Sequence, residues 1–188
     1  MTQDDARRAL RLRQGAGAPY DAVGAPAEDL LLARRGTAYF ARQLGRLADG
    51  DLTPARRRVV ARTALQARAM ALAIKDLRER LTEEEKAWRA DIDLAVTLPG
   101  HALRYLFDHA QIHLNVEWRD LPGSGWDMRA CFDGWIDAPA RETPSLRART
   151  VWQSALDLDA GARVLDLPEA MRPRRGPAPA ADRRAGRQ

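Results

Sequence analysis

The chain of 188 residues has one cysteine, two lysines, few aromatic residues (6%) and no long apolar run, and each scarcity excludes something. A single cysteine, Cys131, cannot form an internal disulfide framework and suits a reducing compartment. No stretch approaches the roughly 18 to 20 apolar residues of a membrane span. The first residues, MTQDDARRALRLRQ, carry charge throughout and lack the apolar centre of a leader peptide. These features predict a soluble cytoplasmic protein without membrane contact.

Lysine is nearly absent, with only Lys75 and Lys86 against 29 arginines, a bias that with the many alanines suggests a GC-rich coding sequence. The formal charge of +5 and pI near 10.1 resemble a nucleic-acid signal until the charge is located. Residues 172–188 hold six arginines and one aspartate. Subtracting these from the 31 basic and 26 acidic residues leaves 25 of each, so the rest of the chain is neutral. A nucleic acid is therefore not the expected partner. Contact through the tail would be weak and salt-dependent, and deleting residues 172–188 would abolish it.

What is present is enough for one domain with a real core: 45% of the residues are hydrophobic. A short helix around residues 4–13 and a Gly/Pro-rich linker fill residues 1–26. Leu30, Leu31, Phe40, Leu44 and Leu47 recur at helical spacing over 27–48, and Gly50 closes the segment. A longer helix runs from Pro54 to Leu81, with Val60, Ala64, Ala67, Met70, Ala71, Ile74 and Leu77 as its buried stripe. Thr82 followed by three glutamates resembles a capping box and starts a helix reaching towards Val96. Another spans about 99–120 on Leu103, Leu106, Ala110 and Leu114.

After Leu121-Pro122-Gly123 the period changes. Met128, Ala130 and Phe132 alternate with polar residues, and Asp133-Gly134 reads as a tight turn between two short strands. Cys131, between Ala130 and Phe132, is expected to be semi-buried. A last helix takes up about 144–158, and Gly161 ends it. The Arg/Pro/Ala-rich segment 172–188 has too little apolar surface to fold and reads as a disordered tail.

The segment RETPSLRARTVWQSALDLDAG, residues 141–161, resembles the last bundle helix of the mycothiol-dependent maleylpyruvate isomerases, which reads approximately Arg-x-Arg-Glu-Val-Trp-x-His-x-x-Asp-Leu. Arg147, Arg149, Val151, Trp152, Asp157 and Leu158 stand in register, with Thr150 at the position of the family's glutamate and Ser154 at that of its histidine. The stretch VVARTALQARAMALAI resembles the family's Val-Val-Ala-His-Val-Ala-x-x-Ala-Arg-Ala-Leu, placing Arg62 at the other metal-binding histidine. Thr53 and Pro54 replace the family's Gly-Trp. The likeness covers most of residues 27–170 and implies an all-α, DinB-like four-helix bundle over 27–171 with a small β-hairpin before the last helix.

It also implies a chemistry. In the family a thiolate adds to the conjugated double bond of maleylpyruvate, the resulting single bond rotates, and elimination gives fumarylpyruvate. A metal held by two His and one Glu would lower the thiol's pKa and steady developing charge. Arginine offers no lone pair, and two neutral hydroxyls replace carboxylate and imidazole poorly, so the metal is predicted absent. The family's catalytic arginine lies near EEKAWRADID, where the alignment puts Trp88, with Arg89 beside it and about 100° away on a helix.

The resemblance thus implies a divergent isomerase-like protein acting on a small unsaturated dicarboxylate, with mycothiol or glutathione as the low-molecular-weight thiol and Arg62, Thr150, Ser154 and Arg89 as site residues. A fixed Arg62 guanidinium with Thr150 and Ser154 could hold an anion without metal. Equally, Arg62 could lean out and pair with a surface carboxylate, leaving a non-catalytic bundle that binds a ligand or protein through the ancestral cavity. An inward Arg62 in a polar cavity would favour the enzyme; an outward one beside an apolar filling would favour the binder.

Three further features have two readings each. His101, His109 and His113 share one helix, and the last two have the spacing of a metal pair, but Asp108 lies about 100° from His109, and half-exposed histidines flanking the core are the preferred reading. Trp118, Trp126, Trp135 and Trp152 could line a cleft or pack the core. Cys131 has no neighbouring base or cation in sequence to activate it.

Overall fold

The computed structural model describes residues 21–172. The predicted helix at 4–13 lies outside them, as does the tail beyond Arg172. Four long helices carry the fold: α1 (Ala27–Gly45), α2 (Pro54–Arg78), α5 (Gly100–Asp120) and α6 (Thr143–Asp157). Two short ones, α3 (Glu83–Ala87) and α4 (Ile92–Ala95), and a hairpin of β1 (Arg129–Phe132) and β2 (Ile136–Pro139) fill the connections. The arrangement is the expected all-α, DinB-like bundle with a hairpin before its last helix.

Helix α2 is the spine. Pro54 sits in its first turn and Thr53 caps it by accepting the Arg56 amide at 3.4 Å. Val60, Ala64, Ala67, Met70, Ala71 and Ile74 are all buried, and the alanines let α5 and α6 approach closely. Helix α1 packs mainly on α6. Gly36 allows that approach, since a Cβ there would stand 2.5 Å from Val151 Cγ2 and 2.8 Å from Trp152 Nε1. Phe40 and Phe107 meet at 5.0 Å between ring centres, joining α1 to α5. Leu31, expected in the stripe of α1, is 47% exposed, and Leu106 is only half-buried while Phe107 takes the core position.

The helix predicted from Thr82 to Val96 is two. Thr82 and Glu85 form the expected capping box, with Glu85 N to Thr82 Oγ1 at 3.2 Å and Thr82 N to Glu85 Oε2 at 2.9 Å. Trp88 then adopts an extended conformation, its ring lying 5.8 Å from that of Phe132 and 5.2 Å beneath the Arg68 guanidinium. Burying the indole outweighs continuing an exposed helix. Asp91 caps a new turn through the Leu94 amide at 2.8 Å.

In the hairpin, Asp133 and Gly134 both have positive φ (46° and 69°), as a two-residue turn of this hand requires. Ala130 pairs with Ala138 and Phe132 with Ile136 on the inner face, which packs against α2. Cys131 points the other way and is exposed, as is Met128 just before the strand. For Cys131 the cause is alternation, since successive strand residues face opposite sides and Ala130 and Phe132 claim the inner one. Met128 precedes the first strand residue, Arg129, and so lies outside the paired ladder.

Arginines staple the ends of the helices. Arg56 donates to the carbonyls of Leu158 (3.0 Å) and Asp159 (2.6 Å), Arg57 to those of Val96 (2.8 Å) and Leu98, and Arg104 to those of Leu44 (2.7 Å) and Leu47 (2.6 Å). Each brings donors to carbonyls at or just past a helix C-terminus, where intrahelical partners run short. Among the described residues no helix is long and apolar enough to cross a membrane.

Candidate functional site

Helices α2 and α6 run side by side, and the hairpin's Trp135 overhangs their outer seam. The cleft so formed measures about 420 Å³ and is lined by Arg62, Gln66, Trp135, Arg149, Thr150 and Gln153. Arg62 and Gln66 are one turn apart on α2, and Arg149, Thr150 and Gln153 face them from α6. Two predicted site residues, Arg62 and Thr150, therefore meet in one cavity.

Thr150 is half-buried and fully engaged: its hydroxyl accepts from Gln66 Nε2 at 2.7 Å and donates to the Leu146 carbonyl at 3.2 Å. The Arg62 side chain is 54% exposed and leans towards Asp157, with Nη2 3.9 Å from Oδ2. Asp157 is also held by Gln153 Nε2 at 2.8 Å. Polar side chains and Trp135 line the cleft, yet Arg62 tilts outward within it, a combination of the two arrangements considered from sequence.

Ser154 lies one turn beyond Thr150 and behind the cleft wall, 1% exposed. Its Oγ shares a 2.9 Å hydrogen bond with Thr63 Oγ1, whose own proton serves the Val59 carbonyl at 2.7 Å. Arg89 is exposed and outside the cleft. Its guanidinium donates to the carbonyls of Lys86 (2.7 Å) and Trp88 (2.8 Å) and lies 3.4 Å from Asp133.

The histidines stay apart from this site. His109 is exposed beside Tyr105, with ring centres 5.9 Å apart, and His113 Nε2 is 3.1 Å from Glu117 Oε1. Among the described residues no cluster of three His, Cys, Asp or Glu side chains is placed to hold a metal. Of the tryptophans, Trp118, Trp126 and Trp152 are core residues and Trp135 alone lines the cleft. Cys131 Sγ lies 3.0 Å from Asp137 Oδ1, and that hydrogen bond, with desolvation and the carboxylate's charge, pushes the thiol above its usual range.

Sequence reasoning passed over Gln66 and Gln153 and named Arg149 only as a register marker. The signal was available: Gln66 is i+4 from Arg62, and Gln153 is i+3 from Thr150, so both share a helix face with a residue already singled out. Arg147, the most unusual side chain here at 1% exposed, was likewise named only as a register marker. Arg147 Nη1 donates to the Thr63 carbonyl at 2.6 Å and to Gln66 Oε1 at 3.2 Å. Its charge gave no reason to expect an inward side chain, since arginine is rarely fully buried.

No family model matches the chain, and no curated protein does. Two solved structures do. One is the mycothiol-dependent maleylpyruvate isomerase, 28% identical with a TM-score of 0.66, the match covering 78% of this chain and 65% of that one. The other is a histidine-to-alanine variant of the mycothiol-dependent maleylpyruvate isomerase, 27% identical with a TM-score of 0.67 over the same shares. This chain thus spans just under two thirds of the solved protein's length. The likeness supports a relation to that isomerase at the level of fold and family.

Proposed function

We propose that this chain is a divergent maleylpyruvate isomerase-like protein whose cleft between α2 and α6 takes a small unsaturated dicarboxylate and acts with a low-molecular-weight thiol, mycothiol or glutathione, without metal. The observation that carries the reading is the pairing of Arg62 and Arg149 about one cleft at the level of Thr150. Two guanidiniums there match two carboxylates, and Trp135 offers a flat wall to a planar conjugated ligand.

The donor chemistry supports the metal-free part. Arg62 has no lone pair to give, the Thr150 hydroxyl already accepts from Gln66 and donates to Leu146, and Ser154 is committed to Thr63 behind the wall. The three positions do not suit zinc. Instead, the cleft arginines favour a bound thiol's anion, as neighbouring cations do. The thiolate sulfur forms a bond to one alkene carbon, and the alkene electron pair moves to the conjugated carbonyl as an enolate. Rotation about the new single bond follows, then collapse of the enolate, which restores the double bond and expels the thiolate. Nothing is oxidised or reduced, and the thiol is regenerated. Ser154 acts here only by bracing α6 against α2, and Arg89 would have to leave Asp133 to take part.

A second reading, a bundle that binds such a ligand without turning it over, is favoured by the outward lean of Arg62 towards Asp157. The test is to incubate the purified chain with maleylpyruvate and each thiol in turn and follow fumarylpyruvate by proton NMR, with and without prior chelation. Thiol-dependent turnover that survives chelation supports the enzyme. Saturable binding of maleate without turnover, weakened by Arg62→Ala, supports the binder; if neither turnover nor binding is observed, both readings fall.

A further inference from the structure

The bundle has a second cavity, remote in character from the cleft. Helices α1 and α5 touch at Phe40 and Phe107 but part further along, leaving a space of about 220 Å³ lined by Arg34, Thr37, Gln111, Asn115, Trp118 and, from α6, Arg147. Arg34 is already neutralised: it forms a two-pronged pair with Asp21 at 2.6 and 2.7 Å and donates to Asn115 Oδ1 at 2.8 Å. Trp118 gives its Nε1 proton to Thr143 Oγ1 at 3.0 Å.

Arg147 is different. Its Nη1 end is pinned by the Thr63 carbonyl and Gln66, while Nε and Nη2 are buried without a hydrogen-bond partner. These two N–H groups form one edge of the guanidinium, the edge whose parallel protons match the two oxygens of a carboxylate. Among the described residues no carboxylate pairs with Arg147, and a buried cation without counter-ion is among the least tolerated groups in a protein interior. Burial pushes the guanidinium down to about 9, which still leaves it charged at neutral pH.

We infer that the cavity between α1 and α5 is a binding site for a small carboxylate, whose oxygens complete the free edge of Arg147 and whose body lies between Thr37 and Gln111. The size of the space selects short acids of the acetate-to-pyruvate class. The site is distinct from the cleft, since Arg62, Arg149 and Thr150 are not among its lining residues, although Gln66 of the cleft wall touches Arg147 from behind.

The test is thermal unfolding of the full chain with sodium pyruvate, sodium acetate, sodium phosphate and sodium chloride at matched ionic strength, followed by calorimetric titration of pyruvate. Pyruvate is expected to raise Tm by roughly 3 to 6 °C at about ten times its Kd, with phosphate and chloride much weaker. Arg147→Met should abolish the shift. Should that variant fail to fold, Ala41→Leu, at a further lining position on α1, fills the cavity while leaving Arg147 in place, and is expected to weaken binding at least about tenfold, while Arg62→Ala leaves it unchanged. An equal shift from phosphate or chloride, a pyruvate shift that survives Ala41→Leu, or no shift in the unmodified chain would overturn the inference; in the last case internal water alone serves the free edge.

Discussion

The hydroxyls of Thr63 and Ser154 lie 2.9 Å apart in the closed seam between α2 and α6, each shut off from solvent. Ser154 is thus part of the packing of two helices and has no room to grow. Ser154→Ala is expected to cost about 1 kcal/mol, the worth of one buried neutral hydrogen bond. Ser154→His, which would reinstate an imidazole, should cost more, about 1 to 3 kcal/mol, by overpacking. Urea unfolding of the two variants measures both values, and a histidine variant as stable as the native chain would contradict the packing argument.

Gly36 yields a prediction opposite in sign to its helix propensity. Alanine at an open helix position is better than glycine by about 1 kcal/mol. Here the added Cβ would meet Val151 Cγ2 at 2.5 Å, a buried side chain that must move. Gly36→Ala is expected to destabilise by about 1 to 3 kcal/mol, read from chemical denaturation, because overpacking exceeds the propensity gain.

Glu117 makes the fold sensitive to acid. Burial draws its carboxyl up, but hydrogen bonds from His113 at 3.1 Å and Arg78 at 2.7 Å outweigh that and hold it below the usual range. A carboxyl depressed in the folded state stabilises fully above its unfolded pKa of about 4.3, and that stability is lost as pH falls through the folded value. The urea midpoint of the native chain should therefore fall below about pH 4.3. Glu117→Gln should be less stable near neutrality by about 2 kcal/mol and show a shallower acid slope.

At the cleft, Arg62→Ala and Arg149→Ala are each expected to weaken maleate binding about five- to tenfold, corresponding to about 1 to 1.4 kcal/mol for an exposed charge-assisted contact. Calorimetry at two salt concentrations checks this, and both effects should shrink as salt rises. Arg89→Ala, outside the cleft lining, should bind as the native chain does.

Cys131 is exposed but suppressed by Asp137. It should react with iodoacetamide more slowly than an unperturbed thiol at neutral pH, and Asp137→Asn should speed the reaction by removing the neighbouring charge. Mass spectrometry of the alkylated chain over time reads the rate. Cys131→Ser should leave maleate binding at the cleft unchanged.

The abundance of arginine shows how far composition can mislead. Read as coding bias, the arginines carried no structural message. Yet Arg56, Arg57 and Arg104 close six helix-end carbonyls between them, and Arg147 braces Thr63 and Gln66 from the interior. These partners are distant in sequence, Arg56 meeting Leu158 across 102 positions, so no local pattern could announce them.

The sequence by itself determined the four long helices and the turn at Asp133-Gly134, because apolar spacing, caps and turn residues act over a few positions at most. Tertiary structure alone decided that Trp88 breaks a helix to reach Phe132 and that Arg62 and Thr150 share a cleft while Ser154 seals the wall behind it. It also decided that Arg147 ends inside the bundle with one edge unmatched. Each of these depends on which residue of a distant helix lies opposite. That is set by the rotation and approach of packed helices, a property of the assembled core and not of any single segment.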